Sequence, residues 1–391
     1  MQADRGPEYA QRFIHTAQQI SHDLAAPHAD AVDREARFPS EAISALRQER
    51  LLGAFVPEPL GGLGCRLSTV AAMCQALAQG CASAAMVFAM HQIQVGCLVR
   101  HRGDSDFFAR YLQQLTAEQR LIASVTSEVG VGGALRTSVS AVEPTAHGGR
   151  LTKQATTISY GLAADDLLLT TRRAPDAAAG DQVMVLLRRA ECAMEQKGDW
   201  DTLGMRGTCS PPFTVSASFP LEQILPVPFA DISAQTMVPF SHLLWSACWL
   251  GIATDAVARA RLFVQAEARK TPGTTPPVAT RLGEAVELLQ RMHLNLDGLL
   301  REYEALMDGD PEVLTSIGFA LRINQLKIAS SQLVVEIVSK ALFLCGIAGY
   351  KSGTRYSMGR HLRDAHSAPL MIANDRILAT NATLLLIHKG A

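Results

Sequence analysis

The sequence predicts an α+β chain, mostly α, in three parts: an N-terminal all-helical domain, a central β-barrel or sandwich domain, and a C-terminal four-helix bundle. Three observations predict this. Residues 151–219 form an island of strand-like, turn-rich sequence. Helical sequence precedes it over residues 7–120. Four long helical runs follow over residues 238–390, joined by short breaks as in an antiparallel bundle. The expected boundaries are 1–120, 121–230 and 231–391. With 391 residues, the chain can bury a large core divided among such parts.

The helical start divides at Arg34–Ser40, where Pro39 precedes Ser40 as an expected helix cap. Ile43, Leu46 and Leu51 then mark one apolar face. A Pro/Gly-rich loop runs from Leu52 to Gly64. Residues 68–100 are apolar almost all round, which predicts a buried helix pair. His91 sits within it, either as a satisfied core histidine or as a pocket wall. Asp104–Leu115 is an amphipathic segment closing the domain.

At residue 121 the pattern changes. Leu121–Glu128 reads as a strand that runs into Val129-Gly130-Val131-Gly132-Gly133. Amides of such a loop can face an anion or a heteroaromatic ring. It is not a G-x-G-x-x-G element followed by a helix, so the pattern is not that of a Rossmann unit. Strands are expected at Leu151–Ile158, Asp166–Arg172 and Gln182–Leu187. In Trp200–Ser210, Gly204 and Gly207 flank Met205-Arg206 and predict a tight corner, with glycine supplying positive φ or close backbone approach. The bundle helices are expected at Leu243–Val264, Val278–Met307, Val313–Phe343 and about Pro369–Ile387.

Composition narrows the function. Hydrophobic content of 48%, charged content of 19% and net charge −1 describe an ordered globular chain without the basic footprint of a nucleic-acid binder. Eight cysteines include no C-x-x-C pair, so neither a metal site nor dithiol chemistry is expected. No apolar run near 20 residues and no signal-peptide core are seen, so a cytoplasmic protein without a membrane span is expected.

Several runs together resemble the acyl-CoA dehydrogenase superfamily of flavoproteins. Leu203-Gly204-Met205-Arg206-Gly207-Thr208 resembles its Leu-Gly-Met-Arg-(Gly/Ala)-(Thr/Ser) corner. The Pro57–Gly64 loop is similar to its early Pro-x-x-x-Gly-Gly-x-Gly loop. Ser127-Glu128 and the glycines after them resemble Thr-Glu-Pro-x-x-Gly-Ser, with Val129 in place of proline and Gly133 in place of serine. Thr157-Ile158-Ser159-Tyr160-Gly161 is similar to Trp-Ile-Thr-Asn-Gly. Arg269–Gly273 resembles Arg-x-x-Phe-Gly, with Pro272 in place of phenylalanine.

The resemblance implies FAD held between the β domain and the bundle, or alternatively FMN or reduced flavin supplied by a partner reductase. Thr126, Ser127, Ile158, Ser159, Arg269, Gly346, Asn374 and Asp375 are the cofactor contacts it implies. Gly133 and Tyr350 are the substrate contacts. It also implies a homodimer or homotetramer. The family reaction removes an α-proton from an acyl thioester while hydride passes to the flavin, and needs a carboxylate base.

That base is missing from both family positions. Counting back from Arg363-Asp364 puts Arg355 where the glutamate belongs, and the alternative position on the first bundle helix falls on Ser241. No Asp or Glu occurs from 337 to 363 or between Asp231 and Asp255. The first expectation is therefore α,β-dehydrogenation of a CoA- or carrier-bound acyl thioester with an unconventional base. His242, His91 and His361 are the candidates, with Arg355 as the replacement at the vacated position. The alternatives are a flavin-dependent monooxygenase using reduced flavin and oxygen, and a non-catalytic scaffold. An electron acceptor or flavin reductase is the partner that the first two imply.

Overall fold

The computed structural model describes residues 6–270 and 272–388, without the side chains of Pro7 and Pro311. The N-terminal part holds six α-helices: α1 (Pro7–Ile20), α2 (Ala26–Arg34), α3 (Ser40–Gln48), α4 (Leu67–Gly80), α5 (Ala82–His101) and α6 (Asp106–Glu118). Burial follows sequence. α4 and α5, apolar on nearly every face, lie inside the protein. Ser105 caps α6 by accepting the Phe108 N–H at 3.4 Å. Ser40 does not cap: it is the first residue of α3, and its hydroxyl turns to Glu41 instead.

The central part contains two sheets. β1 (Ile122–Val125), β4 (Asp166–Arg172) and β5 (Gln182–Arg188) form one, with β1 parallel to β4 and β4 antiparallel to β5. β2 (Glu143–Thr145), β3 (Gly148–Ala155), β7 (Phe213–Phe219) and β6 (Cys192–Gln196) form an antiparallel second sheet. The parallel pair requires a crossover, supplied by residues 126–165 including β2 and β3. β4 and β5 are buried on both faces, which explains their unbroken apolar runs. Asp166 on β4 is fully buried; it is paired with Arg120 at 2.6 Å and accepts the Tyr111 hydroxyl at 2.7 Å. This cluster locks the sheet to α6.

A short α7 (Phe229–Ile232) leads to α8 (Val238–Ala268), α9 (Val278–Asp308) and α10 (Ile317–Cys345), which pack on one another. On α9 the buried residues Ala285, Leu288, Met292, Leu296, Leu300 and Tyr303 recur at three- and four-residue spacing, one stripe of an amphipathic helix. α8 has no polar side until its C-terminal third because α4 and α5 cover its other face. After α11 (Ile347–Tyr350) and α12 (Gly359–His366), α13 (Asn374–Ile387) packs on α10.

Membrane spans were not expected from sequence. Among the described residues, Ala82–His101, Phe229–Ala268 and Ile317–Cys345 are each long and apolar enough to cross a bilayer, by length and composition only. Helix averages absorb the isolated polar residues that interrupt any single apolar run. Burial within the protein accounts for the first two, at 89% and 94% of the apolar window, and for 44% of the third.

Candidate functional site

A cavity of about 1590 Å³ opens where β1, the 200–210 corner, α5, α8 and α13 meet. Pockets for one drug-sized ligand usually span about 300–1,000 Å³, so this one has room for two molecules.

Each wall follows from local structure. Ser124 and Thr126 lie two residues apart at the end of β1, so both face the cavity. Ser127 also lines it, but its hydroxyl is already engaged: it donates to the Thr157 carbonyl at 2.7 Å and accepts the Thr157 N–H at 3.1 Å. Ser159 lines the wall and accepts the Ser210 hydroxyl at 2.9 Å. The corner adds Trp200, Thr202, Leu203, Gly204 and Met205. Gly204 is there because a Cβ would overlap the Arg363 carbonyl. Positive φ, expected of the glycines, falls instead on Met205 (52°) and Cys209 (44°). Tertiary bonds hold that backbone: Asp364 accepts the Met205 N–H at 2.7 Å, and Arg206 donates to the Asp33 carbonyl at 2.8 Å.

Met86, Met90 and Ile93 of α5 make an apolar floor, with Gln94 beside them. α8 contributes Ser241, His242 and Trp245. His242 donates from Nδ1 to the Ile323 carbonyl at 3.1 Å, which leaves Nε2 as a bare acceptor without a partner among the described residues. Burial lowers its pKa to about 4, so the ring is neutral at pH 7. Trp245 Nε1 and Gln94 Oε1 are likewise buried and unpaired among the described residues.

No aspartate or glutamate lines this cavity among the described residues, whereas Arg136, Arg363 and Arg376 do. Ser241, at the alternative family position of the base, donates to the Met237 carbonyl at 2.6 Å.

The structure brings Thr126, Ser127, Ser159, Gly133 and His242 together on this wall. It places the other expected residues elsewhere. His91 is a core histidine: Nε2 donates to the Leu52 carbonyl at 2.8 Å and Nδ1 accepts the Ile122 N–H at 3.1 Å, so no ring atom is left for chemistry. His361 is buried off the cavity, bonded to Asp255 at 2.6 Å through Nε2. Arg355 is exposed and lies over the Tyr356 ring, outside the cavity. Gly346 and Tyr350 sit on the surface at the end of α10, Tyr350 being 75% exposed.

Ile158 is buried behind the wall. Arg269 is exposed at the end of α8, and Thr271 of its motif lies outside the described residues. Asn374 braces the turn before α13, accepting the Lys327 ammonium at 2.7 Å, while Asp375 is exposed. Sequence reasoning passed over Ser124, Trp245, Arg136 and Arg376. The Ser124–Thr126 alternation was a readable signal; the two arginines carried none until the loop and α13 were seen to meet.

Comparisons with known proteins agree with this architecture. The family model for the acyl-CoA dehydrogenase N-terminal domain matches residues 7–119. The amino sugar nitrososynthase DnmZ of Streptomyces peucetius is 25% identical, over 87% of this chain and 84% of its own. FMN-bound TdsC, a dibenzothiophene monooxygenase from Paenibacillus sp. A11-2, superposes with a TM-score of 0.83 at 21% identity, covering 97% of this chain and 98% of its own. Butyryl-CoA dehydrogenase from Megasphaera elsdenii gives 0.79 at 19% identity, covering 98% and 99%. The chain has the acyl-CoA dehydrogenase fold, and its residues 7–119 match that family's N-terminal domain.

Proposed function

We propose that this protein of the acyl-CoA dehydrogenase fold is a flavin-dependent oxidoreductase of the monooxygenase kind, holding flavin and an organic substrate together in the cavity. The observation that carries the reading is the absence of any carboxylate on the cavity wall among the described residues. Removing an α-proton from a thioester needs a base matched to the working pH, whereas an oxygen-inserting reaction does not.

The wall fits a flavin nucleotide. Hydroxyls of Ser124 and Thr126 can meet ring heteroatoms, the Gly132 backbone is open, and the guanidiniums give a positive lining. A bound flavin would supply the electrons that activate oxygen. The chain's own part is to exclude water and orient the substrate. Met86, Met90, Ile93 and Leu370 provide the apolar lining, and His242 offers an acceptor to a substrate O–H or N–H. The FMN of TdsC and the nitrososynthase activity of DnmZ belong to those proteins; here they support choosing oxygen chemistry.

A second reading, dehydrogenation of an acyl thioester, is favoured by one observation: the unpaired Nε2 of His242 could act as the base. Burial lowers its pKa to about 4, well below the neutral range that suits a general base at pH 7. We therefore place it second. Equilibrium dialysis of the purified protein against FMN and FAD tests the shared premise. Binding of either at micromolar concentration, oxidised or anaerobically reduced, supports it, and retention of neither in either redox state would remove both readings.

A further inference from the structure

We propose that Lys327 is a positioning residue of this cavity: its ammonium, buried behind the wall, latches residues 369–373 in place as part of that wall. The inference rests on the cavity as the functional site, but not on which ligand fills it. The latched segment joins α12 to α13 and gives five successive residues, Pro369 to Ala373, to the cavity lining.

Local bonding accounts for only part of the segment's shape. The Leu370 and Met371 amides donate to the Ser367 carbonyl, and the Asn374 amide reaches back to the Pro369 carbonyl. Between them Ile372 has a φ of 46°, in the left-handed region. A β-branched residue is strained there, and such a conformation persists only where its surroundings impose it. Side-chain burial does not impose it, because Leu370 is 76% exposed and Ile372 39%.

Lys327 does. It lies on α10 and is fully buried. Nζ donates to the Ile372 carbonyl at 2.9 Å and to Asn374 Oδ1 at 2.7 Å, and stands 5.9 Å from the centre of the Trp249 ring. Asn374 is tied to α10 a second time, donating from Nδ2 to Ser331 Oγ at 3.1 Å. The two bonds of the ammonium therefore land on the strained residue and on the first residue of α13. Arg376 and Ile377, one turn further on, also line the cavity, so the latch sets where α13 enters the wall.

Charge shows what the lysine is for. No aspartate or glutamate pairs with it among the described residues, and burial lowers its pKa to about 8. A buried ammonium without a counter-ion is costly, and an apolar side chain of similar length fills such a place at less cost. Fold stability alone gives no reason for the charge. Both oxygens that it meets belong to the stretch that carries the cavity wall into α13.

The test is hydrogen exchange, read by mass spectrometry on the full chain without ligand, for the parent and for Lys327→Met, Asn374→Ala and Lys327→Arg. Lys327→Met removes the donor and the buried charge together, so its melting temperature should stay at or above the parent's. Peptides covering 369–377 should nonetheless exchange about tenfold faster or more, while α4 and β4 stay protected. Asn374→Ala removes one of the two acceptors and should loosen the same peptides by less. Lys327→Arg keeps a cation with donors for both oxygens and should restore protection. Equilibrium dialysis against FMN then reads the consequence for binding. A segment in place a tenth of the time lowers apparent affinity about tenfold in Lys327→Met, with recovery in Lys327→Arg. Unchanged exchange over 369–377 in Lys327→Met would overturn the proposal. So would loosening spread evenly through the chain, equal loosening in a Lys327→Arg variant of unchanged melting temperature, or FMN affinity that a loosened segment does not alter. A parent that binds no FMN removes the flavin reading, and exchange alone then decides the latch.

Discussion

The Asp364 carboxylate accepts the backbone N–H of Met205 at 2.7 Å, tying α12 to the corner of the β domain that lines the cavity. Burial raises the Asp364 pKa to about 6, against a usual 3.8. A raised carboxyl pKa means that the folded state prefers the neutral acid. This group's contribution to stability is therefore complete below about 4 and lost as pH rises through 6, a change on the order of 3 kcal/mol. Asp364→Asn keeps an acceptor for Met205 and should abolish that pH dependence. Asp364→Ala leaves the N–H unpaired and should cost about 1–3 kcal/mol in urea unfolding.

Three histidines act the opposite way. His91, His101 and His242 are buried, and each pKa is lowered to about 4. Their neutral forms stabilise the fold fully above pH 6.5, and that stabilisation is lost as pH falls through 4. Three groups outweigh the single aspartate, so we expect the melting temperature to fall on acidification from pH 6.5 to 4. A profile that rises over this range would show that the histidines are not buried neutral.

Gly204 is fixed by close approach, not by backbone angle. Gly204→Ala would drive a methyl into the Arg363 carbonyl, a backbone atom with little freedom to move. A loss of about 1–3 kcal/mol in chemical unfolding is expected. Gly283→Ala, where a Cβ meets nothing within 4 Å, is the control and should be neutral or slightly stabilising.

Apolar side chains remain uncovered on the bundle. Phe343 is 73% exposed and Ile347 69%, and on α13 Leu386 is 87% exposed. We propose that a second copy of the chain covers the apolar surface at Phe343 and Ile347. Light scattering should give a dimer or larger for the parent and a smaller species for Phe343→Asp combined with Ile347→Asp. A monomeric parent would contradict this.

Much of the fold was legible because period and burial agree. The α9 stripe and the doubly buried β4 and β5 announce themselves in sequence. The site was legible only where backbone order carries it, as at Thr126, Ser127, Gly133 and Ser159. His91 could not be resolved, because its two partners, Leu52 and Ile122, lie 39 and 31 residues away. Arg355 could not be placed by counting back from Arg363, because the intervening loop leaves it exposed over the Tyr356 ring. The positive φ of Met205 is a tertiary outcome, set by an aspartate 159 residues further on.

Oxygen chemistry is what we propose for this cavity, which has no carboxylate on its wall among the described residues. The most direct measurement is anaerobic mixing of the flavin-loaded protein with a panel of acyl thioesters while following visible flavin absorbance, paired with oxygen uptake on supplying reduced flavin and candidate organic substrates. The account predicts no bleaching by any thioester, and substrate-dependent oxygen consumption with an oxygenated product. Bleaching by a thioester, lost in His242→Gln with flavin still bound, would contradict it and restore the dehydrogenase reading.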